Sequence, residues 1–125
     1  MEQEHDIVLQ VARFSDPTWG RRAMGRADRV WLFARADARP STPLLPDDPS
    51  PAMRLKLLDV ILLHPGGVTA ASRPQEWADA SDAARVFHWR QDQHRADTGR
   101  LARTLAGKSV GLVVSGGGAR AYAHL

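Results

Sequence analysis

Short apolar runs recur along this chain, and segments of helical periodicity stand between them. Ile7-Val8-Leu9-Gln10-Val11, Val30-Trp31-Leu32-Phe33-Ala34, Leu57 to Leu63 and Val110-Gly111-Leu112-Val113-Val114 are all strand-sized, and they lack the polar alternation of a half-exposed strand. Each predicts a buried strand, and Val86-Phe87-His88-Trp89 adds a shorter candidate. Trp19, Ala23, Met24 and Ala27 fall at spacings near four, with Arg21, Arg22 and Arg26 on the other side, which predicts a helix over Trp19 to Asp28. Asp16 and Thr18 are both suited to cap it. Pro74 to Ala80 predicts a short helix with proline in its first turn. Asp92 to Leu105 predicts a longer one, with Leu101, Ala102 and Leu105 on one face and Gly107 as its stop. Strands alternating with helices predict an α/β fold with a mainly parallel sheet.

Pro40, Pro43, Pro46, Pro49 and Pro51 break this alternation and predict a surface loop, since proline removes a backbone donor and fixes φ. His64-Pro65-Gly66-Gly67 predicts a tight turn closing the strand before it; its faint likeness to the glycine-rich loops of lipases needs no other explanation.

Composition narrows the partners. Basic residues are nearly all arginine, with only Lys56 and Lys108 as lysines, and the formal net charge is +3. The arginines are scattered and do not form a basic face with stacking aromatics, so a nucleic-acid role is not expected. There is no cysteine, which excludes disulfide and thiolate chemistry. No apolar stretch approaches the ~18 residues that span a bilayer, and the acidic start Met1 to Asp6 is unlike a signal peptide, so the expected location is the cytoplasm. His88, Asp92 and His94 have no recognised metal-ligand spacing, and no metal is expected. Trp19, Trp31, Trp77 and Trp89 are dispersed and read as packing residues.

The chemistry is concentrated at the end. Ser115-Gly116-Gly117-Gly118-Ala119-Arg120 lies between an apolar run and the helix-like Ala121 to Leu125. Without Cβ atoms, Gly116, Gly117 and Gly118 can turn successive amides toward one point, and a following helix adds its positive end. Such a loop holds a phosphate or the oxyanion of a tetrahedral acyl intermediate, where one donor is worth ~3 kcal/mol.

This run, with the preceding Asp97 and Arg100-Leu101-Ala102-Arg103-Thr104-Leu105-Ala106-Gly107, resembles the opening of the patatin-like phospholipase domain, and most of all bacterial relatives of neuropathy target esterase. The likeness is strong over about the last thirty residues; Ala27-Asp28-Arg29-Val30 and Leu62-Leu63-His64-Pro65 resemble the segment that precedes that domain. The resemblance implies an oxyanion hole from Gly116, Gly117, Gly118 and Arg120. Ala121 departs from the glycine usual after the arginine. It implies a serine esterase acting through a Ser–Asp dyad, with a phospholipid or lysophospholipid as substrate, no cofactor, and a membrane surface as a compatible location. The serine of the Gly-x-Ser-x-Gly elbow and the aspartate are expected beyond residue 125, so the chain alone should be inactive. Residues 1–105 are then an α/β segment preceding the catalytic domain, and 106–125 its truncated first strand, glycine loop and helix start.

Two other readings use the same letters. Gly116-x-Gly118-x-x-Ala121 fits the dinucleotide fingerprint of a truncated Rossmann-type domain, which requires an acidic residue ending a second strand ~20 residues later. Ala106-Gly107-Lys108-Ser109 imitates the end of a phosphate-binding P-loop, but Ala102 stands at the first glycine and a strand is expected where a helix is required.

Overall fold

The computed structural model describes residues 6–13, 15–41, 55, 57–67 and 72–111. They fall into two units, one running through His94 and one beginning at Arg95.

Among the described residues, the first unit is a three-stranded parallel sheet with one helix before its first strand and one between its second and third. Helix α1 spans Pro17–Arg26, β1 Val30–Arg35, β2 Leu58–His64, α2 Pro74–Ser81 and β3 Arg85–Arg90. The strand order is β1-β2-β3. Val30 lies opposite Leu58, and Asp59 opposite Arg85, with both pairings parallel. The expected α/β architecture is therefore observed, with each boundary within about two residues of the sequence pattern.

β2 is the central strand, and Leu58, Val60, Ile61 and Leu62 are essentially without exposure. A strand covered on both faces tolerates no polar alternation, which is why its sequence is an unbroken apolar run but for Asp59. Leu32, Ala36, Leu58, Val60, Leu62 and Trp77 form the core cluster, with Val30, Ala34, Ala80, Ala83 and Val86 packed around it. α2 thus covers one face through Trp77, whose indole N–H donates to the Ala38 carbonyl at 3.2 Å. Full burial of each large apolar side chain here stabilises by about 1.5–3 kcal/mol.

Local chemistry sets the helix ends. Pro17 opens α1, and Asp16 Oδ1 accepts the Trp19 amide at 3.0 Å, so Asp16 is the cap. Pro74 opens α2, which ends at Asp82 in the left-handed region (φ 50°). Helix α3 spans His94–Leu105 after a 3₁₀ turn at Gln91–Gln93, and all of it but His94 belongs to the second unit. It stops at Gly107, whose φ of +66° explains the glycine there. Leu101 is buried as expected, whereas Ala102 is exposed, so the apolar face of α3 is narrower than the sequence suggests.

Ile7 to Val11 is the clear correction. It forms no strand, and Leu9 and Val11 are 74% and 81% exposed. Burial of a β-branched run requires a neighbouring strand, and none pairs with it among the described residues; Val11 instead accepts the Trp19 indole N–H at 2.9 Å. Trp19 is itself exposed, so packing does not account for all four tryptophans. Val110 and Gly111, the described part of the expected strand Val110–Val114, carry no strand and are exposed. Most of the proline-rich stretch and residues 112–125 lie outside the described residues.

Candidate functional site

Gly116, Gly117, Gly118 and Arg120, the residues that carry the expected chemistry, lie outside the described residues, as does Ala121. The approach to them is described. In α3, Arg100 Nη2 lies 3.5 Å from the buried Asp97 carboxylate, one turn apart. After Gly107, Lys108 to Gly111 are exposed and non-helical. The context is therefore wrong for a P-loop, in which this lysine and serine open a helix.

The letters Gly-x-Ser-x-Gly do occur, at Gly107-Lys108-Ser109-Val110-Gly111, against the expectation that such a serine is found only beyond residue 125. A nucleophile elbow places its serine on a sharp turn from a strand into a helix. Here Ser109 instead follows a helix that Gly107 terminates, with no strand directly before it. Ser109 Oγ donates to Thr104 Oγ1 at 3.1 Å, and no histidine or carboxylate activates it in that bond. Its position thus argues against a catalytic role.

Two polar clusters in the sheet were not legible as sites in the sequence. Asp59 has no exposure, yet it is a charged residue near the start of the core strand. Its register neighbours are Trp31 on β1 and Arg85 on β3. Arg85 grips it with Nε and Nη2, both at 2.9 Å, Arg29 Nη1 approaches to 2.8 Å, and the Trp31 indole N–H donates at 3.1 Å. Burial alone would raise its pKa; the hydrogen bonds from Arg85 and Arg29, with their charges, outweigh this and hold the carboxyl below its ordinary value. With four donors on two oxygens and no exposure, this carboxylate is a clamp across three strands and not a proton acceptor for a substrate. The available signal was a charge inside a strand buried on both faces, which must be paired.

The second cluster lies at the C-terminal end of the sheet. His64 Nε2 and His88 Nδ1 are 2.8 Å apart, with ring centroids 5.0 Å apart. His64 ends β2, and the turn after it is the one expected, with Gly67 at φ +74°. Gln91 Oε1 accepts the Gly66 amide at 2.9 Å and fixes this turn against the end of β3. The grouping of His88 with Asp92 and His94 does not form: His94 Nδ1 lies 3.1 Å from the Gln91 carbonyl, and Asp92 is exposed. No three potential metal ligands converge among the described residues. No helix among them is long and apolar enough to cross a membrane.

Comparison with characterised proteins gives consistent likenesses. The chain is 27% identical over 150 aligned residues to mouse (Mus musculus) patatin-like phospholipase domain-containing protein 6, covering 99% of the chain and 11% of that protein. It is 29% identical to patatin-like phospholipase domain-containing protein 7 of Rattus norvegicus over the same shares. It is 29% identical to lysophospholipase NTE1 of Pyricularia oryzae, covering 95% of the chain and 8% of that protein. The chain thus spans about a tenth of the length of these relatives. No family model matches it, and no solved structure does.

Proposed function

We propose that this chain, a relative of the patatin-like phospholipase domain proteins and of lysophospholipase NTE1, contributes the oxyanion-stabilising loop of a serine esterase and the α/β segment preceding its catalytic domain. The observation carrying this reading is the motif Gly116-Gly117-Gly118-Ala119-Arg120, within a similarity that takes in 99% of the chain. In this reading residues 106–125 open the hydrolase domain. The amides of Gly116 to Gly118 donate to the carbonyl oxygen of an acyl ester as a serine attacks the carbonyl carbon, and Arg120 braces the loop or adds its charge. Negative charge gathers on that oxygen only in the tetrahedral state, so these donors lower the barrier instead of tightening ground-state binding. The nucleophile and its aspartate come from sequence outside residues 1–125, and the substrate is a phospholipid or lysophospholipid acyl ester, met at a membrane surface.

The test is acyl-ester hydrolysis, with lysophosphatidylcholine and a p-nitrophenyl ester as substrates. Residues 1–125 alone should give no turnover above background. A longer protein that includes the serine elbow should be active, and Gly117→Pro, which deletes an amide donor, should reduce its kcat by about 10²–10³-fold. Ser109→Ala should leave kcat within about twofold, because Ser109 is bound to Thr104 and set after a helix. Full activity in the proline variant, or turnover by residues 1–125 that is lost in Ser109→Ala, would refute the assignment.

A further inference from the structure

We infer that His64 and His88 form a chelating pair for a late first-row divalent metal ion, of which Zn²⁺ is the reference. The pair is independent of the oxyanion loop and does not rest on the esterase reading. Two nitrogens bound to one ion at 2.0–2.1 Å, in octahedral or tetrahedral arrangement, stand about 2.8–3.4 Å apart. His64 Nε2 and His88 Nδ1 are 2.8 Å apart, at the short end of that spacing. The backbone fixes it: in the β2–β3 register His88 lies opposite Leu62 and His64 opposite Arg90, so both rings emerge on one face of adjacent strands, on a diagonal. The Gln91 bond to the Gly66 amide holds the end of β2 to the end of β3 immediately beyond them. Both histidines are half-buried, which leaves a route for an ion. They stand at the carboxyl ends of parallel strands, where α/β sheets place their ligands.

The donor set selects the ion. The chain has no thiol, and imidazole nitrogen suits copper, nickel and zinc over magnesium or calcium. Binding exchanges the N–H···N hydrogen bond for two metal–nitrogen bonds; the shared proton moves to the outer nitrogen of its ring, and two waters leave the hydrated ion. No third histidine, cysteine or carboxylate converges among the described residues, so water fills the remaining positions.

Titration calorimetry of Zn²⁺ into the chain at pH 7.5 should show one ion per chain with Kd below about 1 mM, and Cu²⁺ should bind more tightly than Zn²⁺. His64→Gln and His88→Gln should each weaken binding at least about tenfold, while His94→Gln, which alters the exposed histidine on Gln91, should not. Circular dichroism checks that the variants fold. Electron paramagnetic resonance of the Cu²⁺ complex of the unaltered chain, which should show two nitrogens from histidine, gives a reading that needs no variant. Absence of saturable binding below about 1 mM, binding retained in both glutamine variants, or a single-nitrogen Cu²⁺ spectrum would each overturn the inference.

Discussion

Replacing Asp59 with alanine should destabilise the sheet out of proportion to the few atoms removed. The substitution deletes the acceptor of four hydrogen bonds at 2.8–3.1 Å and leaves two arginines facing an apolar strand. Removing one partner of a fully buried ion pair costs about 3–5 kcal/mol. Arg29 and Arg85 keep 30% and 43% of their side-chain exposure, so water recovers part of their solvation and the expected loss is at the lower end, about 3 kcal/mol. In urea unfolding followed by tryptophan fluorescence, at a slope of about 2 kcal/mol per molar, the midpoint should fall by about 1.5 M. The cluster as a whole is worth far less than its rupture. A triple substitution, Arg29→Met with Asp59→Leu and Arg85→Met, should return the midpoint to within about 0.5 M of the original. Acid provides a second measurement. The folded carboxyl is held below its ordinary value, so its contribution is complete above the unfolded pKa of about 3.9 and is lost as the pH falls through the lower folded value. The native chain should therefore lose stability below about pH 4 more steeply than Asp59→Asn does. A midpoint unchanged in Asp59→Ala, or a triple variant as unstable as the single one, would refute the clamp.

Other outcomes follow from single contacts. Trp77→Ala removes the side chain through which α2 covers the sheet, together with its bond to Ala38, and should cost about 3–5 kcal/mol in the same urea assay. Asp16→Ala removes the α1 cap and should cost about 1 kcal/mol, with Asp16→Asn restoring most of it. Gly107→Ala forces a Cβ into the left-handed region and should destabilise the end of α3 by about 1 kcal/mol, read as faster amide exchange in its last turn.

The sequence was informative wherever one segment's physics is self-contained. β2 is an unbroken apolar run because it is central, and the run located it to one residue. Asp16 with Pro17, and Gly107, bounded their helices through backbone chemistry that acts within a single turn. Ile7 to Val11 is a short apolar run as β1 is, yet one is exposed and the other is paired. An apolar run specifies that surface should be buried and is silent on what buries it, because pairing is a property of two segments.

The same division separates the two kinds of site in this chain. The glycine motif is legible because its donors are consecutive amides, so spacing in sequence is nearly spacing in space. The Asp59 clamp joins residues 26 to 30 positions apart, and the histidine pair residues 24 apart. Neither can be seen until the parallel register is known, since a slip of one residue would turn Asp59 to the face that α2 covers and take it from between Trp31 and Arg85. That dependence also runs the other way. A slipped register would strand a carboxylate among Leu32, Val86 and Trp77 at a cost of several kcal/mol, so the buried charge helps to select the alignment that the apolar residues alone leave loosely specified. The histidine spacing at the far end of β2 is then inherited from a register that Asp59 helps to fix, and disturbing the clamp should loosen that pair as well.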